Sequence, residues 1–257
     1  MGGFEPLLLA LLRFALAGGI LWLVWRMFGA RERATRAEFG RLAVLGFVSL
    51  TVYFSFENLG IARTSASEAA ILLAAVPVFV VVLNVFTLRE HNAARQWAGV
   101  ALSFIGIVGL MQFGGGDSGG STGGNLLVLT ASLAAAVYTL MARHMLVKRS
   151  ALYLTTFQNL FGALFMVPLV LVEALLVGVR RPAPTAVGAF VYLTFFSSVA
   201  GYLMLNYALR HVEASKVSVF INLTPVVGVA GAFLLLGERF TPLQASSSAV
   251  VVDPRSA

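Results

Sequence analysis

Phe56-Glu-Asn-Leu-Gly-Ile-Ala-Arg-Thr-Ser-Ala-Ser67 is answered 148 residues later by Asn206-Tyr-Ala-Leu-Arg-His-Val-Glu-Ala-Ser215, with Asn58, Ala66 and Ser67 recurring as Asn206, Ala214 and Ser215. The same offset carries Pro77 to Pro225, Glu90 to Glu238 and Gln96 to Gln244. One constant spacing without a gap marks two copies of a single unit. Both copies are strongly apolar, and a duplicated apolar unit is a pattern typical of membrane transporters built from internal repeats.

Composition leads to the same solvent. The 257 residues are 59% hydrophobic and 11% charged, with a mean hydropathy of +0.89, whereas soluble domains carry roughly 25% charged residues. A membrane-spanning helix needs about 20 apolar residues. Eight segments meet that need: 7–28, 41–62, 67–88, 95–113, 125–146, 153–178, 185–209 and 215–236. The expected partner is therefore the lipid bilayer. The net charge of +7 does not indicate nucleic acid, because the basic residues stand in the gaps between apolar runs, as Lys and Arg do in membrane proteins. With no cysteine there is no disulfide or thiol chemistry.

Gly114–Gly124 is a Gly/Ser run whose one charge is Asp117, and it reads as a flexible linker. The expected organisation is a first repeat over 1–113, a linker over 114–124 and a second repeat over 125–257. Loop charges orient the chain. With the loop between the first two spans in the cytoplasm, that side collects Arg26, Arg31, Arg33, Arg36, Arg41, Arg89, Arg95, Arg143, Lys148, Arg149, Arg210 and Lys216, against Arg63, Arg180, Arg181 and Arg239 outside. The span 41–62 then runs outward and its counterpart 185–209 runs inward. The repeat is inverted, the arrangement that underlies alternating access.

The offset also acts as a ruler. The counterpart of 125–146 would precede Met1, and that of 95–113 would begin near residue 243, where the chain reads Ala245-Ser-Ser-Ser-Ala-Val-Val-Val-Asp253-Pro254. The expectation is an all-α integral membrane protein of inverted five-helix units, with eight of ten transmembrane helices present.

In the order and spacing of these stretches the chain resembles the drug/metabolite transporter superfamily, specifically the EamA-type permeases. The resemblance rests on Phe56–Ser67 leading through Pro77 to Arg89-Glu90, and on Asn206–Ser215 leading through Leu223-Thr-Pro225 to Leu236-Gly-Glu-Arg-Phe-Thr-Pro-Leu-Gln244. Gly2–Phe14 resembles the junction of that family's first two helices, and Ala134-Ala-Ala-Val-Tyr138 its sixth. What the resemblance implies is export of small metabolites, often amino acids or their derivatives, and drugs, across the cytoplasmic membrane. Two departures, the absent terminal helices, set beside this an alternative of a non-transporting remnant or partner subunit.

Several residues are candidates to carry transport. Pro77 and Pro225 fall mid-span, where a proline frees a backbone carbonyl that only protein or a water-filled cavity can satisfy, so both are expected helix bends. Polar side chains in hydrocarbon point inward. Tyr53 and Glu57 share one stripe of the span 41–62, with Asn58 on the next, and Tyr202 and Asn206 share a face of the span 185–209. Gln158 and Asn159 interrupt the run 153–178, and Ser218 and Asn222 lie on one face with Pro225. These nine polar residues are the expected solute-binding set. For the two repeated asparagines, interhelical hydrogen bonding is the other reading. Arg13, about two turns into the first span, either snorkels to the interface or meets an anionic group of the solute. Glu173 stands similarly near the outer end of the span 153–178. His91, His144 and His211 stand at helix ends without a metal-ligand pattern. Neither catalytic residues, nor a metal, nor a cofactor is expected.

Overall fold

A computed structural model describes residues 5–28, 32, 35–64, 66–87, 97, 98, 101, 121–178 and 184–221. Of the readings above, the linker up to residue 120, almost all of the span 95–113, Asn222, Pro225 and the carboxyl-terminal stretch lie outside the described residues. Every regular element among those described is helical: α1 (Pro6–Phe28), α2 (Arg36–Gly46), α3 (Tyr53–Ile61), α4 (Ala66–Leu73), α5 (Val76–Thr87), α6 (Thr122–Leu146), α7 (Ala151–Val177), α8 (Pro184–Tyr192), α9 (Tyr202–His211) and α10 (Ala214–Ile221). Two π-helical segments, Phe47–Val52 and Leu193–Gly201, join α2 to α3 and α8 to α9.

Among the described residues, five runs are long and apolar enough to cross a bilayer: Pro6–Phe28, Arg36–Ile61, Thr122–Leu146, Ala151–Leu176 and Ala186–His211. Their outward faces are apolar, with Phe28, Leu175 and Leu176 among the most exposed side chains. That is the reverse of a water-soluble surface and suits lipid contact.

Local chemistry sets where the helices start. Thr35 caps α2: its hydroxyl accepts from the Glu38 N–H while the Glu38 carboxylate accepts from the Thr35 N–H, a reciprocal box. This moves the helix start to Arg36, ahead of the apolar run at 41. Ser150 caps α7 by accepting from the Tyr153 N–H. The end of the expected linker is helical, because Thr122, Gly123 and Gly124 already belong to α6; the Ser121 hydroxyl accepts from the Gly124 N–H.

The span 67–88 is two helices, not one. The helix is interrupted at Ala74–Ala75, and Pro77 stands in the first turn of α5, where its missing N–H costs nothing. The Ala75 N–H donates to the Leu72 carbonyl. The Ser132 hydroxyl of α6 lies 2.8 Å from that carbonyl and 3.1 Å from that of Val128, able to donate to either. Pro168, by contrast, lies within an unbroken α7.

The chain forms two compact units that cut across the sequence halves: Met1–Ser55 with Met141–His211, and Phe56–Leu140 with Val212–Ala257. In the first unit α1, α2 and α9 pack on α7, and the second π segment packs on α1. Glycines set the closest approach. A Cβ on Gly162 would lie 2.3 Å from Leu50 Cδ1, and one on Gly46 would lie 2.8 Å from the Gly162 nitrogen. The core beside them holds Ala10, Phe14, Leu50, Ala163 and Met166. In the second unit Ala69 and Leu72 of α4 pack on Val128 of α6, and Asn84 of α5 donates to the Ser215 hydroxyl of α10 across 3.3 Å.

Candidate functional site

The first unit gathers most of the expected binding residues about α7. Gln158 and Asn159, adjacent on that helix, share a turn with Thr155, three and four residues back. Asn206 of α9 donates from Nδ2 to Thr155 Oγ1 at 2.8 Å and to Gln158 Oε1 at 3.2 Å. Thr155 in turn donates to the Ala151 carbonyl, and Asn159 Nδ2 donates to the Thr155 carbonyl at 2.9 Å. Thr155, Gln158, Asn159 and Asn206 all have zero solvent exposure. Asn159 Oδ1 has no hydrogen-bond partner among the described residues. An unmet buried acceptor is costly, on the order of 1–3 kcal/mol. The oxygen is thus an open acceptor, suited to a donor carried in by a solute.

One turn before Asn206, the face becomes aromatic. Tyr202 meets Phe14 of α1 edge-on at 6.1 Å between ring centroids, Phe14 meets Phe54 at 5.1 Å, and Phe54 meets Tyr53 at 4.9 Å. Arg13 is drawn into this group, its guanidinium carbon 4.6 Å from the Phe14 centroid and 5.0 Å from that of Phe54. Such cation–π contacts hold a cation in apolar surroundings. The first unit thus holds a buried amide cluster and an aromatic group against which Arg13 lies.

Elsewhere the expected residues part company. Glu57 and Asn58 are half-buried on α3, and belong with Pro77 and Ser218 to the second unit. Ser218 is buried and donates to the Ser215 carbonyl at 2.8 Å. In the same unit the Thr64 hydroxyl donates to Glu68 Oε2 at 2.8 Å and also touches the Asn125 side chain.

Sequence reading missed Thr155, Asn84 and Glu68, and found for Glu173 only its place near a span's outer end. Thr155 was findable from its helical spacing to Gln158 and Asn159. Glu173 proves to be structural, its carboxylate accepting from the Leu7 and Leu8 N–H groups at 3.3 and 3.2 Å and so filling open donors of the first turn of α1. At the other end of α7, Arg149 grips Glu38 with both carboxylate oxygens within 2.7 Å of Nη2. The hydrogen bond it donates to Glu38 holds the guanidinium more firmly protonated than usual. Glu32 accepts from the Ser150 N–H beside it. Arg143 Nη1 donates to the carbonyls of Leu209 and Arg210, closing the end of α9.

Long apolar helices packed around a small buried polar cluster fit a multi-pass membrane protein. The chain matches the EamA-like transporter family over residues 1–112 and 122–252, and it belongs to that family. An uncharacterized transporter of Archaeoglobus fulgidus is 30% identical over 96% of this chain and 86% of its own length. The uncharacterized transporter YyaM of Bacillus subtilis is 26% identical over 88% and 76%. A probable terminal-alkyne amino-acid exporter of Streptantibioticus cattleyicolor is 26% identical over 95% and 80%. A solved crystal structure shares the fold with a TM-score of 0.74, at 18% identity over 96% of this chain and 86% of that one.

Proposed function

We propose that this transporter exports small polar metabolites, amino acids or their derivatives among them, through the cytoplasmic membrane by alternating access of two inverted repeats. Tyr53, Gln158, Asn159, Tyr202 and Asn206 hold the solute, and Arg13 receives its anionic group. Glu57, Asn58, Ser218 and Asn222 are the further contacts, with Pro77 and Pro225 as the paired bends. The observation that carries the reading is the unmet Asn159 Oδ1 in a fully buried amide pocket: an interhelical fastening alone would leave no acceptor open. Solutes of this class supply ammonium donors for that oxygen, and Arg13 offers a cation to a carboxylate elsewhere along the path. The amino-acid exporter among the relatives lends support to this class.

Two features support the repeat. Shifted by 148 residues, Phe47–Val52 falls on residues 195–200, inside the second π segment Leu193–Gly201. The family match also comes as two stretches, 1–112 and 122–252. A twofold construction of this kind suits alternating access.

The test is an export screen. Cells expressing the protein are compared with cells expressing Asn206→Ala, and metabolites in the medium are measured. The expected result is at least one amino acid or derivative enriched outside by the parent and about tenfold less by the variant, at equal membrane abundance. Equal export by both removes Asn206 from the site, and no enriched solute of any class removes the proposed function.

A further inference from the structure

Buried hydroxyls in helices normally turn back onto a carbonyl of the preceding turn. Thr139, Thr155, Thr156 and Thr194 each donate to the carbonyl four residues back, at 2.7–2.8 Å. Ser49, Thr51, Ser132 and Ser218 find carbonyls too, and Ser215 accepts from Asn84. Ser198 breaks the pattern. It has zero exposure, yet its Oγ has no hydrogen-bond partner among the described residues.

The backbone around Ser198 is itself unusual. Ser198 lies within the π segment Leu193–Gly201, where the Tyr202 N–H donates five residues back, to the Ser197 carbonyl. π turns are frequent at functional sites because they open the backbone there. Ser198 also stands in register with the pocket: residues 198, 202 and 206 follow one another at four-residue spacing along one face. Tyr202 lies against Phe14, Asn206 lies in the amide pocket, and the π segment packs on α1, which carries Arg13.

We infer that Ser198 is a further solute contact, a second polar station on the same helix as Asn206. Its hydroxyl can donate and accept, so it suits a carboxylate, amide or ammonium group of a small solute in passage. The inference rests on the transporter reading above and adds a residue to its path. An orphan hydroxyl with no such role would gain by reverting to the i−4 bond that the threonines make.

The natural absence of cysteine makes the test direct and independent of the solute's identity. Ser198→Cys, Asn206→Cys and Thr156→Cys are each placed in the full chain. Membranes are treated from either side with a charged methanethiosulfonate, and the labelling rate is read by mass shift. Thr156 is equally buried but bonded to the Leu152 carbonyl, so it reports sealed interior. The expected result is Ser198→Cys and Asn206→Cys labelling at least tenfold faster than Thr156→Cys. Labelling at 206 but not at 198 overturns the Ser198 assignment and leaves the transporter reading standing. Labelling at neither overturns both. Because serine to cysteine exchanges one atom, a monodisperse purified protein is required of each variant before its rate is read.

Discussion

Asn206 is the residue on which the first unit's polar chemistry turns, since it bridges α9 to both Thr155 and Gln158 of α7. Hydrogen bonds between helices in membranes average about 0.6 kcal/mol. Truncation also leaves Gln158 Oε1 without that donor, which adds about 1 kcal/mol or more. Asn206→Ala is therefore expected to lower thermal stability in detergent modestly while lowering export strongly. Loss of export in proportion to loss of folded protein would show a purely structural part. This cluster was partly legible beforehand, because Gln158, Asn159 and Asn206 are amides in apolar runs and such residues turn inward. Ser198 was harder to see. A hydroxyl in a membrane helix usually satisfies itself on its own backbone, so its presence in the sequence says nothing until the helix winding is known.

At the scale of the element, glycine spacing decides how closely α7 is approached. Gly46 and Gly162 lie where a Cβ would meet neighbouring backbone or Leu50 at 2.3–2.8 Å. Gly162→Ala is expected to cost about 1–3 kcal/mol as an overpacked contact. Gly19→Ala, with nothing within 4 Å of the added carbon, is expected to be neutral or stabilising by up to about 1 kcal/mol through helix propensity. Thermal melts of the two variants side by side check the contrast, and equal melting temperatures would contradict it. At the cap of α2, Glu38 serves both Thr35 and Arg149. Glu38→Ala should therefore destabilise more than Arg149→Ala, by about 1 kcal/mol, the usual worth of a lost cap. A chemical-denaturation series of the two single variants and the double variant reads that difference. The element scale is also where sequence reading met its limit. Uninterrupted apolar runs place Pro6–Phe28, Thr122–Leu146 and Ala151–Val177 within three residues of the spans 7–28, 125–146 and 153–178. The π segments have no residue signature, because what defines them is a hydrogen-bond register of five rather than four. The break at Ala74–Ala75 comes just before the proline that was expected to make the bend. Proline fits a helix's first turn and disrupts its interior, so the backbone starts a new helix at Val76.

For the whole molecule, composition was enough to give the membrane-spanning helical class. An apolar chain with its charges in the gaps has one suitable solvent, and a duplicated unit one common use. The proposed inverted repeat leads to a prediction at this scale. If the repeats exchange roles during transport, single cysteines at Asn58 and Asn206 should differ in which side labels them, and an added exported solute should shift the two rates in opposite directions. Rates that rise or fall together would count against exchange between repeats.

The Glu173 carboxylate on the first turn of α1 has an electrical consequence. A bare helix start carries roughly half a positive elementary charge, and this one lies about 10 Å from Arg13 at 1.5 Å per residue. Glu173 neutralises that pole. Under the proposed reading, an anion approaching the aromatic group then meets the Arg13 guanidinium without a competing attractor at the start of α1. In competition export assays, Arg13→Gln should accordingly abolish any preference for acidic over neutral solutes, whereas Glu173→Gln should blunt it by offering anions a second place to rest.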